Sequence, residues 1–316
     1  MYFNFPIDIK KTIPIGEHGL HMPCLGLGTG LHGEISEQQS VMTIEHALER
    51  GVNFFDTAPL YGNGLAEERL GKALEGVERS SFVINTKIGI KSGLDNGDFD
   101  YDFTEEGIKF CFERSLQRLK LNHIDILHIH EPVGRSKEIM NVVLPLMESW
   151  RDAGMIRAIS AGVNHWSYIE EFVSRLDCIL LAGRYTLLEQ GAAEFLEDQH
   201  LANRPVISAG IFNSGILATG SGTKAKYEYM LPPSKVVTKV LKLEKLCKRN
   251  DVNLAQVAVQ FVAANPAVQS MLFGACSPTE LDKVLTCLEE PVPVNVWKEL
   301  IERKLVSSSI PLPGSF

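Results

Sequence analysis

Gly26-Leu27-Gly28-Thr29-Gly30-Leu31-His32-Gly33-Glu34-Ile35-Ser36 is the stretch on which the fold turns. Residues 28–33 match G-x-G-x-x-G after the apolar run Cys24–Gly28, and Asp56 ends the next such run roughly 20 residues on, the spacing of a dinucleotide-binding doubly wound sheet. That pattern needs a helix packed directly on the glycine turn, because its third glycine brings helix and strand together. Here Gly33-Glu34-Ile35 intervenes, and the first helix start falls at Ser36. In Ser36-Glu37-Gln38-Gln39 the serine is placed to accept from the Gln39 amide while the Gln39 side chain reaches back, a capping box. The stretch therefore reads as a barrel strand followed by a loop, with the doubly wound sheet as the fold-level alternative.

Outward from this stretch, β-rich apolar runs alternate with amphipathic ones. Candidate strands are Cys24–Gly28, Asn53–Thr57, Phe82–Lys87, Ile124–His130, Ile156–Ala161, Cys178–Ala182, Pro205–Ala209 and Ser270–Phe273. Helix-like segments such as Ser36–Arg50, Thr104–Lys120, Lys137–Ala153, Ser234–Arg249 and Pro278–Leu288 lie between them. Thr104-Glu105-Glu106-Gly107 puts acids in a first helical turn, where the helix dipole favours them. Such alternation implies parallel strands joined by helical crossovers. Roughly eight strand–helix units suit a closed α/β barrel, the (β/α)8 TIM barrel, typically about 250 residues long. The surplus fits an N-terminal β-hairpin (Lys11–Met22, turning at Gly16-Glu17-His18-Gly19), a loop after the seventh strand (Asn213–Pro233) and a C-terminal extension. No low-complexity linker divides the chain, so residues 1–316 read as one domain.

Hydrophobic residues make up 45% of the chain, enough for a large core. Lys plus Arg total 31 against 39 Asp plus Glu, a net charge of −8, which argues against nonspecific binding to nucleic acid or anionic membranes. The six cysteines lie far apart in neither a CxxC nor a zinc spacing. Met1-Tyr2-Phe3-Asn4-Phe5-Pro6 has no basic n-region or continuous apolar stretch, and no run is long enough to span a bilayer. A cytoplasmic protein is expected, monomeric or weakly homo-oligomeric.

Four residues at or just beyond predicted strand ends carry the chemistry: Asp56, Tyr61, Lys87 and His130. A phenol, with an ordinary pKa of about 10, exchanges protons poorly at neutral pH. A nearby ammonium favours phenolate, a carboxylate holds the ammonium, and an imidazole steers a substrate oxygen. Each residue alone has a bland reading: Asp56 as a turn residue, Tyr61 and Lys87 as structural, His130 as an interior histidine. His128 shares strand parity with His130 and is assigned to the core or to a supporting position.

Phe55-Asp56-Thr57-Ala58-Pro59-Leu60-Tyr61-Gly62, Thr86-Lys87 and Asp125-Ile126-Leu127-His128-Ile129-His130-Glu131-Pro132 resemble the aldo-keto reductase family. The resemblance continues in order through Gly154-Met155-Ile156-Arg157, Ser214-Gly215-Ile216-Leu217 and Gly274-Ala275-Cys276-Ser277-Pro278, nearly the whole chain. It implies a (β/α)8 barrel with a nicotinamide cofactor across the C-terminal face. It also implies Tyr61 as proton donor or acceptor, Lys87 lowering its pKa, Asp56 paired with Lys87, and His130 orienting the carbonyl or hydroxyl.

For the cofactor, the resemblance points to Gly28, Thr29 and Asp56, and to Asn164 at the carboxamide, although Ala161-Gly162-Val163-Asn164 departs from the family's usual Gly-Val-Ser-Asn. The Gln that relatives often place before the sixth-strand Tyr is absent from Ala182-Gly183-Arg184-Tyr185. Phe212 is the aromatic nearest the place of the family's stacking Tyr. Ser214, Gly215 and Leu217 match the pyrophosphate loop, with Gly215 allowing close backbone approach. Around the adenosine end stand Gly274, Ser277 and Glu280. NADP-preferring relatives carry a Lys-Ser pair and an Arg where this chain has Gly274, Ala275 and Glu280. A 2′-phosphate beside Glu280 would be repelled, whereas a carboxylate accepts from a ribose hydroxyl, so NAD is expected in preference to NADP. Glu280 also has a plain structural reading, complementing the dipole of its own helix.

Asp56–Gly62, Ala182–Leu188 and Phe212–Gly215 further resemble the branch containing aldose 1-dehydrogenases, for L-fucose and related sugars, and pyridoxal 4-dehydrogenase. That implies NAD-dependent oxidation of a cyclic hemiacetal to a lactone, with Tyr61, His130 and Trp166 facing a sugar or pyridoxal-like substrate. Tyr101, Trp166, Trp297 and Pro311–Phe316 are expected near the barrel mouth. The alternatives are an NADPH-dependent aldehyde or ketone reductase and a non-enzymatic nicotinamide-binding interaction module.

Overall fold

Strand order separates the two fold readings. The computed structural model describes residues 6–93, 98–223 and 225–313. Its strands are β1 (Thr12–Ile15), β2 (Leu20–Pro23), β3 (Leu25–Gly28), β4 (Phe54–Asp56), β5 (Val83–Ile88), β6 (Ile90–Gly93), β7 (Phe99–Tyr101), β8 (Ile124–His130), β9 (Ile156–Val163), β10 (Cys178–Ala182), β11 (Val206–Ala209) and β12 (Val268–Gly274). The order β10-β11-β12-β3-β4-β5-β8-β9 closes on itself, so the doubly wound alternative is excluded. All eight barrel strands overlap the runs read from the sequence. No helix among the described residues is long and apolar enough to cross a membrane.

The chain divides into two compact units, Ile9–Leu180 with Leu272–Leu281, and Met1–Asp8 with Leu181–Met271 and Asp282–Phe316. In the first, β1 and β2 pair antiparallel from Thr12↔Pro23 to Ile15↔Leu20, the expected hairpin. Parallel pairs such as Gly28↔Asp56, Asp56↔Asn85 and Lys87↔His128 set the barrel register. β8 is buried at every position, as a strand covered on both faces must be. The first helix, Glu37–Glu49, is capped by Ser36, whose hydroxyl accepts from Gln39 N–H at 3.2 Å. The expected return bond is not made: the Gln39 side chain donates instead to the Cys276 carbonyl at 2.8 Å, a partner available only in the folded barrel. Thr104 caps Glu105–Leu119 by accepting from Gly107 N–H. Beyond β5 an antiparallel hairpin, β6–β7, pairs Ile90 with Tyr101 and Gly93 with Phe99. Tyr101 therefore sits in a strand.

In the second unit β11 pairs with β12 from Val206↔Val268 to Ser208↔Met271. The helix Leu254–Ala263 is buried on nearly all sides. Its buried Gln260 amide is satisfied, donating to the Cys287 and Glu290 carbonyls and accepting from Val292 N–H. Trp297, expected near the mouth, instead lies buried on the inward side of the helix Val294–Glu302. Of the C-terminal segment, Leu312 is buried, and residues 314–316 lie outside the described residues, as do residues 1–5.

Candidate active site

Register places the four chemistry-bearing side chains. Asp56 is the last residue of β4, His130 the last of β8, and Lys87 the penultimate residue of β5. Lys87 Nζ donates to Asp56 Oδ1 at 2.8 Å and to the Thr57 carbonyl at 2.8 Å, and lies 4.6 Å from the Tyr61 ring centroid. The Tyr61 and His130 rings meet edge to face, 6.4 Å apart at 87°. Lys87 is 2% exposed and His130 7%. The structure thus brings all four together at the C-terminal strand ends, where barrel active sites form.

Tyr61 owes its place to an unusual turn. Gly62, Asn63 and Gly64 all have left-handed backbones, φ +59°, +52° and +96°. Glycine is suited to this, and asparagine tolerates it. Gly33 packs against this turn so closely that a Cβ on it would come 2.4 Å from the Gly62 Cα. The third glycine of G-x-G-x-x-G therefore serves the tyrosine loop rather than a cofactor helix. Asn63 Oδ1 accepts from Gly93 N–H at 3.0 Å. Beneath Gly64 runs the Arg118 side chain, whose guanidinium pairs with buried Glu67 at 2.6 Å, and Glu67 accepts from the Thr86 hydroxyl at 2.6 Å. This brace ties the tyrosine loop to the residue beside Lys87. It was not marked from sequence, because Glu67 and Arg118 stand far apart on separate helices; the one signal was a glutamate on the apolar side of its helix.

Burial disfavours the Lys87 ammonium, but the Asp56 charge, helped by Tyr61, overrides it and lifts Lys87 above its ordinary value. Burial likewise lifts the Asp56 carboxyl, with Lys87 opposing. Burial, then the Lys87 charge, hold both His128 and His130 well below the ordinary histidine value, so both imidazoles are neutral. His128, expected in the core, is fully buried. The site is one fixed cation beside a phenol and a neutral imidazole.

The remaining candidates fall into local groups. Thr29 N–H and Oγ1 both donate to the Asp56 carbonyl, at 2.8 and 2.9 Å, fixing Gly28-Thr29 against the carboxylate residue. Asn164 is exposed just past β9, its N–H donating to the Glu131 carboxylate at 2.8 Å. Trp166 stacks on His165, ring centroids 4.2 Å apart. Ser277 Oγ accepts from Glu280 N–H at 3.2 Å while Glu280 Oε2 accepts from Cys276 N–H at 2.8 Å, so the two cap the helix Pro278–Thr286. In the other unit, Gly215 N–H and Leu217 N–H both donate to the Phe212 carbonyl, and Ser214 Oγ accepts from Tyr229 N–H. Leu217 is fully buried, its N–H taken up by that bond to Phe212. A Cβ at Gly215, φ +94°, or at Gly274 would meet nothing within 4 Å, leaving open backbone at both.

A buried ammonium between a carboxylate and a phenol thus stands at the strand ends of a closed α/β barrel, the face on which barrel enzymes carry their active sites. The chain belongs to the Aldo/keto reductase family, whose sequence pattern matches residues 24–303. It is 33% identical to the D-threo-aldose 1-dehydrogenase of Pseudomonas sp., over 91% of this chain and 96% of that one. It is 32% identical to the pyridoxal 4-dehydrogenase of Microbacterium luteolum, over 93% of this chain and 97% of that one. An aldo-keto reductase of Bacillus halodurans has the same fold, with a TM-score of 0.78 at 24% identity over 95% of this chain and 97% of that one. The protein is thus an oxidoreductase of a family that uses nicotinamide cofactors.

Proposed function

We propose that this protein oxidises a cyclic hemiacetal, an aldose such as L-fucose or D-arabinose, to its lactone with NAD. The observation that carries the reading is Lys87 Nζ, 2.8 Å from Asp56 and 4.6 Å from the Tyr61 ring centre. Both relatives named above, one an aldose 1-dehydrogenase and the other a pyridoxal 4-dehydrogenase, support a ring-forming substrate.

The residues fit a nicotinamide dinucleotide: open glycine backbone at Gly215 and Gly274, an exposed amide at Asn164, and polar groups at Ser214 and Ser277. Gly28, Thr29, Asp56, Asn164, Phe212, Ser214, Gly215, Leu217, Gly274, Ser277 and Glu280 are the residues that would hold it. When bound, the oxidised nicotinamide supplies the hydride acceptor. The chain's own part is the proton. Tyr61, favoured as phenolate by the Lys87 ammonium, takes the hydroxyl proton of the hemiacetal carbon. Asp56 keeps that ammonium in place through its 2.8 Å bond. His130 is neutral, so its imidazole carries one N–H with which to orient the substrate oxygen.

The test is absorbance of reduced nicotinamide with NAD and NADP separately, on L-fucose, D-arabinose, L-galactose and pyridoxal. Turnover of a sugar with NAD that is absent in Tyr61→Phe is the expected result. Oxidation of pyridoxal alone would replace the aldose with the second relative's substrate, and turnover with NADP alone would overturn the cofactor preference.

A further inference from the structure

Directly after His130 comes Glu131, with a left-handed backbone at φ +44°. A long, charged L-residue keeps that conformation only where its surroundings fix it, and such outliers gather at ligand sites. Bonds from both its backbone and its side chain hold this one, the Glu131 carbonyl accepting from Val133 N–H at 2.7 Å. Glu131 N–H donates to the Gly162 carbonyl at 3.1 Å, extending the β8–β9 ladder by a residue, and the Glu131 carboxylate accepts from Asn164 N–H at 2.8 Å. The carboxylate is thereby turned to the end of β9, alongside the residue read as the carboxamide holder. Its charge also reaches the β6–β7 hairpin: burial first, then Glu131 and Tyr168, raise the Tyr101 phenol above its ordinary value. Glu131 and Asn164 thus meet past the ends of β8 and β9, and the residues that follow carry the stacked His165–Trp166 pair.

We propose that Glu131 is a charge filter: the site takes uncharged, hydroxyl-bearing rings and rejects their phosphate and carboxylate counterparts. The inference rests on the reading of Tyr61 and His130 as the acid–base site. His130 ends β8 opposite Gly162 of β9, and the Glu131 carboxylate is held 2.8 Å from the Asn164 backbone amide just past β9, so both residues stand at the same end of this strand pair. A substrate held by His130 therefore presents its remaining groups within the field of Glu131. Hydroxyl groups donate to a carboxylate, whereas a phosphate or carboxylate there meets a like charge. A glutamate that served only to brace Asn164 would be indifferent to the charge of the substrate.

The experiment compares wild type with Glu131→Gln, whose side-chain carbonyl still accepts from Asn164 N–H. Two matched pairs are used: oxidation of L-galactose against L-galactose 6-phosphate, and reduction of 4-nitrobenzaldehyde against 4-carboxybenzaldehyde, each with both cofactors. Wild type is expected to favour the neutral member by roughly 100-fold in kcat/KM, and the variant to narrow that ratio about ten-fold or more. Because the readout is a ratio, a general loss of activity does not imitate it. If the variant folds poorly, the wild-type ratio measured from 0.05 to 0.5 M salt replaces it, and several-fold narrowing is expected. An unchanged ratio in the variant, or in wild type across salt, overturns the filter. Sugar turnover with an unchanged ratio leaves the proposed function standing and removes the filter. Silence on both sugars with a narrowed aldehyde ratio does the reverse.

Discussion

Asp56 and Asp125 are both buried carboxylates on barrel strands, and they are held in opposite ways. Asp125, 1% exposed near the start of β8, accepts from Arg79 at 2.7 Å, Arg157 at 3.2 Å and Ile84 N–H at 2.9 Å. Two guanidiniums share it, and their other bonds, from Arg79 to the Phe82 carbonyl and from Arg157 to the Gly19 carbonyl, are structural as well. Asp56, at the end of β4, has one ammonium at 2.8 Å, which also donates to the Thr57 carbonyl and lies against Tyr61. Near it, the Thr57 hydroxyl and both His128 nitrogens are buried with no hydrogen-bond partner among the described residues. Leaving such a group unpaired costs about 1–3 kcal/mol, and of the described side chains that hold Asp125 only Arg79 has one, at Nε. On the proposed function, the strand starts serve stability and the strand ends chemistry, the division expected of this barrel.

The largest effect that tests the division is Tyr61→Phe. Removing the hydroxyl should lower kcat by about 10²–10⁴-fold, the usual worth of a general acid–base group, while the melting temperature stays close to that of wild type. Equal loss of activity and stability would merge the two regions. Asp125→Ala is the counterpart. Breaking a buried ion cluster on one side should cost about 3–5 kcal/mol in urea unfolding, with kcat per folded molecule retained. A folded Asp125→Ala protein without activity would extend the chemistry to the wrong end of the barrel.

Acid should expose the chemical end next. Burial holds His128 and His130 well below their ordinary value, and burial lowers His32 as well. The unfolded chain takes up these protons near pH 6.5, the native one only at lower pH. Between those points the unfolded state binds more protons, so stability is present above about pH 6.5 and is lost as the pH falls below it. Urea midpoints at pH 7.5 and 5.0 should show this fall, and His128→Leu should reduce it. A His128→Leu protein as acid-sensitive as wild type would assign the effect to other groups.

The barrel was legible because a strand covered on both faces writes a continuous apolar run, and β8 does so from Ile124 to His130. The four chemical residues were legible for a related reason: polar side chains closing such runs have few reasons to be there. What stayed hidden was hidden by tertiary structure. Nine of the ten residues of Leu254–Ala263 are buried, so that helix shows no polar stripe to mark its period. The β6–β7 hairpin is only half-buried and three or four residues per strand, too short for an alternation to stand out. Gln39 left its capping box because folding brought the Cys276 carbonyl within 2.8 Å. Trp297 looked like a loop aromatic, yet its helix turns it inward. The Glu67–Arg118 brace spans 51 residues of sequence, and no local spacing announces it.

The smallest effect concerns Glu280, where one carboxylate has two candidate jobs. Its bond to Cys276 N–H, with Ser277 Oγ accepting from Glu280 N–H, is a helix cap complete in itself. Ser277→Ala removes half of that cap and should cost about 1 kcal/mol, a shift of about 2 °C in melting temperature. Glu280→Gln is the sharper change, because the amide oxygen still accepts from Cys276 N–H and only the charge is gone. If the charge selects against a 2′-phosphate, the NADP-to-NAD ratio of kcat/KM should rise about three- to ten-fold with melting nearly unchanged, as expected for one exposed charge in water. A ratio that stays fixed would leave Glu280 a structural cap alone, and the preference for NAD would then have to come from contacts at Gly274 and Ala275, where the chain lacks the phosphate-binding side chains rather than repelling the phosphate.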